Sequence, residues 1–329
     1  MIPEKLKIGD EIRVVAPSRS MQIIGETSVK EAIKALEKLG FKVTFGKHVN
    51  EVMDEAYMCA SVQDRVEDIQ EAFNDKQVKA ILTVIGGFNV NQILDYLDYE
   101  TIRQNPKIIC GLSDITALTN AIYAKTGLVT YSGPHFSTFG MQKGVEYTIE
   151  YFKKMFMSKE EITIEASKEW SNDAWFIDQE NRNFYPNKGM HKIQEGEAQG
   201  TIIGGNLCTL NLLQGTDYMP DLTDSILFLE DDGEEEDNFF VTFDRDLQSL
   251  LHSARGKMIK GIVFGRAEKI CQMTNEKWET FVKIRSELKG IPVICNADFG
   301  HTTPIFTFPI GGTANLQVKE GKIELKIKG

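Results

Sequence analysis

The chain has 329 residues, 42% of them hydrophobic, and a formal net charge of −11 at pH 7. This length predicts one large domain or two of ordinary size, and the acidic balance argues against nucleic acid as a partner. No apolar run is long enough to cross a bilayer and the first residues lack an apolar signal core, so we expect a cytoplasmic protein without membrane contact. The five cysteines are odd in number and far apart, which predicts neither a disulfide framework nor a zinc site.

The first half of the chain alternates predicted strands and helices, which is typical of an α/β fold with a parallel sheet covered by helices on both faces. Strands are predicted over residues 10–16, 42–45, 80–85 and 108–110, and helices over residues 26–39, 61–74 and 114–125. Ligands bind such sheets at the carboxyl ends of the strands. Three strands end in candidate site residues, which are Ser18 and Ser20, the Gly86-Gly87-Phe88-Asn89 segment and Ser113.

The stretch around Ser113 combines a buried strand, a glycine turn, a serine and a helix. This order is the geometry of a nucleophile elbow, which lifts a hydroxyl clear of the sheet edge. The sequence after the serine differs from the common elbow, so the alternative is that Ser113 or Asp114 only caps the helix. Gly86 and Gly87 either make a simple turn or, through the N–H of Gly87 paired with that of Asp114, bind a developing oxyanion.

The stretch from about residue 157 to residue 200 is polar and irregular, and we interpret it as a linker or a large loop. Trp170 and Trp175 lie in it, together with Arg182 and Lys188. Aromatic residues in a polar loop either pin the loop to the core or offer a stacking surface to a flat ligand. Both interpretations stay open on the sequence alone.

The second half is again mixed. Strands are predicted over residues 197–203, 225–229, 258–264 and 291–296, helices over residues 207–213, 239–254 and 275–288, and a hairpin over residues 314–328 that turns at Glu320-Gly321.

An acidic run from Glu230 to Asp237 holds seven carboxylates in eight positions. Its spacing does not fit an EF-hand loop, and we expect no metal site. Glu230 directly ends an apolar strand, where a carboxylate could orient a histidine and stabilise the imidazolium. His301 follows a strand and precedes a rigid turn; His135 is its rival.

The other three histidines, His48, His191 and His252, are expected at the surface. The chain order of Ser113, Glu230 and His301 is that of a hydrolase-type triad. Without a Gly-x-Gly-x-x-Gly turn after the first strand, a dinucleotide enzyme is disfavoured, and the missing signal sequence disfavours a two-lobed periplasmic binder.

Four motifs together resemble the LD-carboxypeptidase and microcin C self-immunity family of serine peptidases. They are Gly111-Leu112-Ser113-Asp114, Gly204-Gly205-Asn206-Leu207, Leu229-Glu230-Asp231 and Gly300-His301-Thr302-Thr303-Pro304, and the likeness spans essentially the whole chain. The resemblance implies a serine hydrolase with a Ser113–His301–Glu230 triad and no cofactor. It also implies a homodimer that acts on a small-molecule substrate.

The resemblance further implies a division into two domains with the active site in the cleft between them. Residues 1–157 would form a Rossmann-like or flavodoxin-like domain, residues 158–196 a linker with the tryptophan loop, and residues 197–329 a β-rich C-terminal domain.

The family has two branches, and the tryptophan loop favours the one that cleaves peptidyl- or aminoacyl-nucleotide antibiotics. The alternative is an LD-carboxypeptidase that removes the terminal D-alanine from murein tetrapeptides. For the favoured branch, the resemblance implies stacking of a nucleobase on the two tryptophans. The expected substrate-binding residues are Trp170, Trp175, Gly86, Phe88, Asn206 and Arg182, with Lys188 as a second possible phosphate ligand.

Overall fold

The computed structural model describes residues 1–253 and 258–329 of the chain. In the first half the strands are β1 (Glu11–Val15), β2 (Lys42–Phe45), β3 (Val78–Thr83), β4 (Ile108–Gly111) and β5 (Thr130–Ser132). The helices there are α1 (Glu26–Lys38), α2 (Val62–Asn74), α3 (Tyr99–Gln104), α4 (Ile115–Thr126) and α5 (Glu146–Met157).

The second half contributes the remaining elements. Its strands are β6 (Ile162–Thr163), β7 (Glu169–Trp170), β8 (Tyr185–Pro186), β9 (His191–Gln194), β10 (Gly196–Asn206), β11 (Ser225–Glu230), β12 (Gly261–Gly265), β13 (Val293–Ala297), β14 (Phe308–Ile310), β15 (Thr313–Lys319) and β16 (Lys322–Lys328). Its helices are α6 (Leu207–Asn211), α7 (Phe239–His252) and α8 (Asn275–Lys283). Short 3-10 helices lie at Met21–Ile23, Val90–Tyr96, Ser137–Gly140, Glu236–Asn238, Lys269–Cys271 and Ser286–Leu288.

The first sheet has the strand order β14-β5-β4-β3-β1-β2. Strands β1 to β5 pair in parallel, and only the edge strand β14 is antiparallel to its neighbour. Apart from the edge strand β2 and Lys79 in β3, the residues of these strands are buried, as expected for a parallel sheet with helices on both faces.

The second sheet has the order β6-β16-β15-β10-β11-β12-β13-β9. Its centre, from β10 to β13, is parallel, and antiparallel strands flank it on both sides. The predicted α/β architecture, with a parallel N-terminal sheet and a β-rich C-terminal region, is confirmed. Three strands cross the expected domain boundaries. Strands β6 and β9, from the predicted linker, join the second sheet, and β14, from the predicted C-terminal domain, joins the first.

Helix α4 links the two sheets and fixes their relative position. The amide of Asn120 donates to the carbonyl of Gly204 at 2.9 Å, and the hydroxyl of Thr116 accepts from the N–H of Asn206 at 3.0 Å. The side chains of Asn120 and Thr116 are both buried, so α4 is held firmly against the end of β10. The same helix begins directly after Ser113, at the carboxyl edge of both sheets.

The predicted end of the strand at residue 203 is wrong, because β10 continues through Gly204 and Gly205 to Asn206. A Cβ on Gly204 would lie 1.9 Å from the carbonyl oxygen of Phe228, and one on Gly205 would lie 2.4 Å from the hydroxyl of Thr116. These glycines therefore allow close approach of β11 and α4.

Other boundaries move by a few residues. The strand predicted over 80–85 is β3 at Val78–Thr83, and the helix predicted over 275–288 ends at Lys283. The helix predicted over 239–254 is α7, which ends at His252; residue 254 lies outside the described residues. The C-terminal hairpin is confirmed with its turn at Glu320-Gly321.

The surface position predicted for His48 is wrong, because its ring is only 6% exposed. Its Nδ1 lies 2.9 Å from a carboxylate oxygen of Glu51 and 3.7 Å from one of Asp64. Burial lowers the pKa of His48, but Glu51, Asp68 and Asp64 outweigh that effect and raise it above its ordinary value. In residues 1–253 and 258–329, no helix has the length and apolar character needed to cross a membrane.

Candidate active site

Ser113 sits on a strained turn between β4 and α4. Its φ is +63°, in the left-handed region that costs a side-chain-bearing residue energy and recurs at functional sites. Gly111 makes the turn possible, since a Cβ there would lie 2.2 Å from the hydroxyl of Thr83 and 3.0 Å from Ile115. The backbone geometry is thus a strand, a tight turn and a helix, with the serine at the apex.

Three side chains from distant parts of the chain form a hydrogen-bonded row. Nε2 of His301 lies 3.1 Å from Oγ of Ser113, and Nδ1 of His301 lies 2.7 Å from Oε2 of Glu230. Glu230 is the last residue of β11 and is 5% exposed. A Cβ on Gly300 would lie 2.7 Å from Oε2 of Glu230, so this glycine lets the histidine loop approach the carboxylate.

The charges around His301 stabilise its protonated form. Burial lowers the pKa of His301, but the charge and hydrogen bond of Glu230 raise it above its ordinary value, with smaller contributions from Asp232 and Glu268. A neutral imidazole here can accept a proton at Nε2, while Glu230 stabilises the imidazolium that results.

His135, the rival histidine, has a different role in the site. Its Nδ1 lies 2.9 Å from the hydroxyl of Thr83. Burial, together with the positive charges of His301 and Arg19, lowers the pKa of His135 to about 3. His135 is therefore neutral, and it forms part of a cavity wall beside Ser113.

The carboxylate of Asp114 fastens the glycine loop to the serine turn. Its Oδ2 accepts hydrogen bonds from Oγ of Ser18 at 2.6 Å, from the N–H of Asn89 at 2.9 Å and from the N–H of Val90 at 3.0 Å. Asp114 makes no side-chain cap on α4, so the capping role that the sequence left open is not seen. Burial raises the pKa of Asp114, opposed by these hydrogen bonds and by Arg65.

Gly86 and Gly87 run against the serine with no room for a side chain. A Cβ on Gly86 would lie 2.9 Å from Cβ of Ser113, and one on Gly87 would lie 2.3 Å from Oγ of Ser18. Arg19 donates to the carbonyl of Gly86 at 3.1 Å, which fixes the loop from the other side. This packing brings bare backbone of the loop close to the hydroxyl of Ser113.

Two cavities border Ser113. We call the first, of about 500 Å³, the acidic cavity; its lining includes Ser113, Gly87, Phe88, Asp114, Asp231, Asp232, Glu234, Glu235, Arg245 and Asp246. We call the second, of about 270 Å³, the aromatic cavity; its lining includes Ser113, His301, His135, Arg19, Gly86, Phe88, Trp175 and Phe176.

Of the sequence-predicted substrate residues, Gly86, Phe88 and Trp175 are brought to Ser113. Trp170 packs elsewhere: its ring centroid lies 5.5 Å from that of Tyr185, and the guanidinium of Arg266 lies 5.0 Å over it. Among the described residues that line the two cavities, Trp170 is not present.

Arg182 and Asn206 also lie outside both linings in the described part of the chain. The guanidinium of Arg182 is 1% exposed and pairs with Asp173, and it donates to the carbonyl of Lys143 at 2.8 Å. Asn206 caps α6 by accepting from the N–H of Thr209 at 3.0 Å, and its amide donates to Asp231 at 2.8 Å.

Sequence reasoning missed the buried support behind the glycine loop. The guanidinium of Arg65 donates to the carbonyls of Pro17 and Asn89 at 3.0 Å and 3.2 Å, and to the side chain of Gln92 at 3.0 Å. The only signal in the sequence is an arginine on the otherwise apolar face of a helix.

Within the described residues, one group could bring three metal ligands together. Atoms of His48, Glu51 and Asp64 lie within 4.8 Å of one another, and none of the three residues lines the acidic or the aromatic cavity.

Comparison with known proteins gives whole-chain matches. A family model described as the LD-carboxypeptidase N-terminal domain matches residues 12–133, and one described as the LD-carboxypeptidase C-terminal domain matches residues 199–316. The chain is 53% identical to "Putative carboxypeptidase YocD" of Bacillus subtilis, over 98% of this chain and 97% of that protein. It is 31% identical to the microcin C7 self-immunity protein MccF of Escherichia coli, over 94% of this chain and 91% of MccF.

Two solved structures have nearly the same fold. An MccF-like protein from Bacillus anthracis superposes with a TM-score of 0.98 at 54% identity, covering 100% of this chain and 99% of that chain. MccF in complex with aspartyl sulfamoyl adenosine superposes with a TM-score of 0.89 at 28% identity, covering 100% of this chain and 98% of that chain.

Proposed function

We propose, from the premise that this chain belongs to the LD-carboxypeptidase family, that it is a serine hydrolase in which Ser113, His301 and Glu230 act as a catalytic triad. The observation that carries the proposal is the hydrogen-bonded row from Ser113 through His301 to Glu230, which ends in two cavities at the serine. The strained backbone at Ser113 supports it, because such strain recurs at functional sites.

The proposed reaction is acyl transfer to serine and then to water. As Oγ of Ser113 attacks the scissile carbonyl, Nε2 of His301 takes its proton, and Glu230 stabilises the imidazolium. The N–H groups of Gly87 and Asp114 bind the oxyanion of the tetrahedral intermediate. His301 then gives the proton to the leaving group as the scissile bond breaks. In the second half, His301 deprotonates a water that attacks the ester and frees Ser113.

The leaving group must lie next to His301, since His301 protonates it. That places the leaving group in the aromatic cavity, where Phe88, Trp175 and Phe176 offer flat apolar surfaces. Phe88 is 59% and Phe176 is 67% exposed, so their rings are available to a ligand. Such surfaces suit a nucleobase, and we therefore propose a peptidyl- or aminoacyl-nucleotide as substrate, with detoxification of such antibiotics as the role.

The second candidate is an LD-carboxypeptidase that removes D-alanine from murein tetrapeptides. The packing of Trp170 against Tyr185 favours it, since only one of the two loop tryptophans is then left for stacking. The ion pair of Arg182 with Asp173 points the same way, because this guanidinium is already neutralised and is a poor phosphate ligand.

A paired cleavage assay read by mass spectrometry tests both candidates. One reaction contains an aminoacyl sulfamoyl adenosine, the other a murein tetrapeptide with its L,D bond, and Ser113→Ala is the control for each. Ser113-dependent release of sulfamoyl adenosine alone supports the first candidate, and release of D-alanine alone supports the second. A Ser113→Ala protein that keeps most of the wild-type turnover rejects the triad, since loss of the nucleophile should lower kcat by roughly three or more powers of ten.

A further inference from the structure

The acidic cavity carries far more negative than positive charge. Its wall includes the carboxylates of Asp231, Asp232, Glu234, Glu235 and Asp246, against the single guanidinium of Arg245. Ser113, Gly87 and Asp114 also line this cavity, so it opens at the proposed nucleophile. Phe239 and Phe243 supply an apolar floor beside the carboxylates.

Backbone N–H groups hold two of these carboxylates in place. Asp231 accepts from the N–H of Cys208 at 3.0 Å, and Asp232 accepts from the N–H of Glu234 at 3.0 Å. Within residues 1–253 and 258–329, no lysine or arginine nitrogen forms an ion pair with any of the five. Burial and the neighbouring charges of Glu230 and Asp232 raise the pKa of Asp231 to about 7, so this group is partly protonated near neutral pH. The negative charge of the wall therefore comes mainly from Asp232, Glu234, Glu235 and Asp246.

The direction of the proposed reaction decides which part of the substrate meets this wall. The leaving group lies beside His301, which lines the aromatic cavity. His301 is not among the described residues that line the acidic cavity, whereas Ser113 borders both. The acyl part of the substrate therefore extends from the carbonyl into the acidic cavity. Asp232 and Glu234 line both cavities, so they lie where the two cavities meet.

We propose that the acidic cavity selects substrates whose acyl part carries a cationic group, such as the ammonium of a basic amino-acid side chain, and repels acyl parts that carry a carboxylate. This inference rests on the proposed function, because it takes the acyl side from the order of the triad chemistry. The apolar stem of a basic side chain would pack on Phe239 and Phe243, while its ammonium replaces the missing counter-ion of the wall.

The test uses three sulfamoyl adenosine ligands that differ only in the acyl side chain: lysyl, norleucyl and glutamyl. Each is N-acetylated, so that the side chain carries the only charge of the acyl part. Binding to Ser113→Ala is measured by titration calorimetry, and kcat/KM is measured for the wild type. The same titrations are made in the Ser113→Ala background with Asp232→Asn and Glu234→Gln together. Glu236→Gln is the matched control, since Glu236 belongs to the same run and lies outside the described linings of both cavities.

We expect the lysyl ligand to bind about tenfold more tightly than the norleucyl ligand, and the glutamyl ligand to bind about tenfold more weakly. The double variant should reduce the lysyl preference to about threefold or less, while Glu236→Gln keeps it. Raising the salt concentration should also reduce the preference, because the wall is partly open to solvent.

Equal affinity for the lysyl and norleucyl ligands overturns the inference, as does the absence of binding by all three. A lysyl preference that the double variant leaves unchanged overturns the assignment to this wall. If Ser113→Ala prefers the lysyl ligand but the wild type cleaves none of the three, the charge preference stands and the proposed reaction fails. Binding and turnover therefore report separately on the two proposals.

Discussion

Replacing Asp114 should damage both the stability and the activity of this protein. In Asp114→Ala the loop loses its acceptor, and the backbone N–H groups of Asn89 and Val90 are left buried and unpaired. Each unpaired group costs about 1–3 kcal/mol, so we expect the free energy of unfolding to fall by about 4 kcal/mol. The loop that carries Gly87 then shifts against Ser113, and a shift of about 1 Å at a reacting centre lowers kcat by about a hundredfold.

The substitution Asp114→Asn should reduce stability and activity much less than Asp114→Ala. An amide oxygen can occupy the position of Oδ2 and accept the same hydrogen bonds, and loss of the charge is partly offset because burial disfavours the ionised form, as the raised pKa of Asp114 indicates. We expect a loss of about 1 kcal/mol in unfolding free energy, with kcat largely restored. This rescue separates positioning of the loop from a need for the charge itself.

Urea unfolding and steady-state kinetics of the two variants check this reasoning. Asp98 offers a matched control, because its side chain accepts from the N–H groups of Glu100 and Thr101 at 3.0 Å and 3.1 Å but is exposed at the start of α3. Asp98→Ala should cost only about 1 kcal/mol and leave kcat unchanged. The reasoning is refuted if Asp114→Ala unfolds within 1 kcal/mol of the wild type, or if its kcat stays within about threefold.

Three further predictions follow from the site and its surroundings. Because Glu230 raises the pKa of His301 and the proposed mechanism needs the neutral imidazole, kcat/KM should rise with pH through that raised pKa. In Glu230→Gln this rise should move to lower pH, and kcat should fall by roughly three powers of ten. A pH profile of kcat/KM that does not move would contradict the pairing of Glu230 with His301. Trp175→Ala should raise the KM for an adenosine-bearing substrate about tenfold, whereas Trp170→Ala should leave it unchanged. Steady-state kinetics of both variants check this, and an equal effect of the two substitutions on KM would contradict it. His48 has a raised pKa in the folded state, so its protonation stabilises the protein fully below the unfolded-state pKa, and this contribution is lost as pH rises through the folded-state pKa. The difference in unfolding free energy between wild type and His48→Gln should therefore shrink as pH rises from the unfolded-state to the folded-state pKa. Urea unfolding at several pH values measures this difference, and a constant difference would refute the prediction.

Much of the fold could be predicted because the pattern of apolar residues within a segment indicates its secondary structure. The short strand β2 and the amphipathic helix α1 are confirmed to within a residue, since hydrophobic periodicity depends only on neighbours in sequence. The short strands β5 and β14 and the helix α5 were not anticipated. A strand of three residues carries too little periodicity to detect, and β14 exists only because β5 offers it an edge.

The site was predictable to the extent that it lies at strand ends. Ser113, Glu230 and His301 each lie at or just after the end of a strand, and the carboxyl end of a parallel strand is where ligands bind. Ser113 follows a strand of the first sheet and the other two belong to strand ends of the second, so their meeting also depends on the packing of α4 against β10, which the sequence does not indicate. Trp170 and Arg182 could not be placed in the same way, because their positions depend on how a polar loop packs on Tyr185 and Asp173. His48 was misplaced for a related reason: its sequence neighbours are polar, and its burial comes from α2.

The acidic run after β11 illustrates how a uniform stretch of sequence acquires several roles. Successive residues leaving a strand point to opposite sides, so neighbouring carboxylates face different partners. Glu230 reaches His301 at 2.7 Å, and Asp231 turns instead to the start of α6, where it accepts from Cys208 at 3.0 Å. Asp232 then faces the two cavities at Ser113. Burial, and then the charges of Glu230 and Asp232, raise the pKa of Asp231, so the crowding of carboxylates in this run is unfavourable for folding by itself. That cost becomes intelligible if the cavity binds a cation, because the same repulsion then favours the ligand.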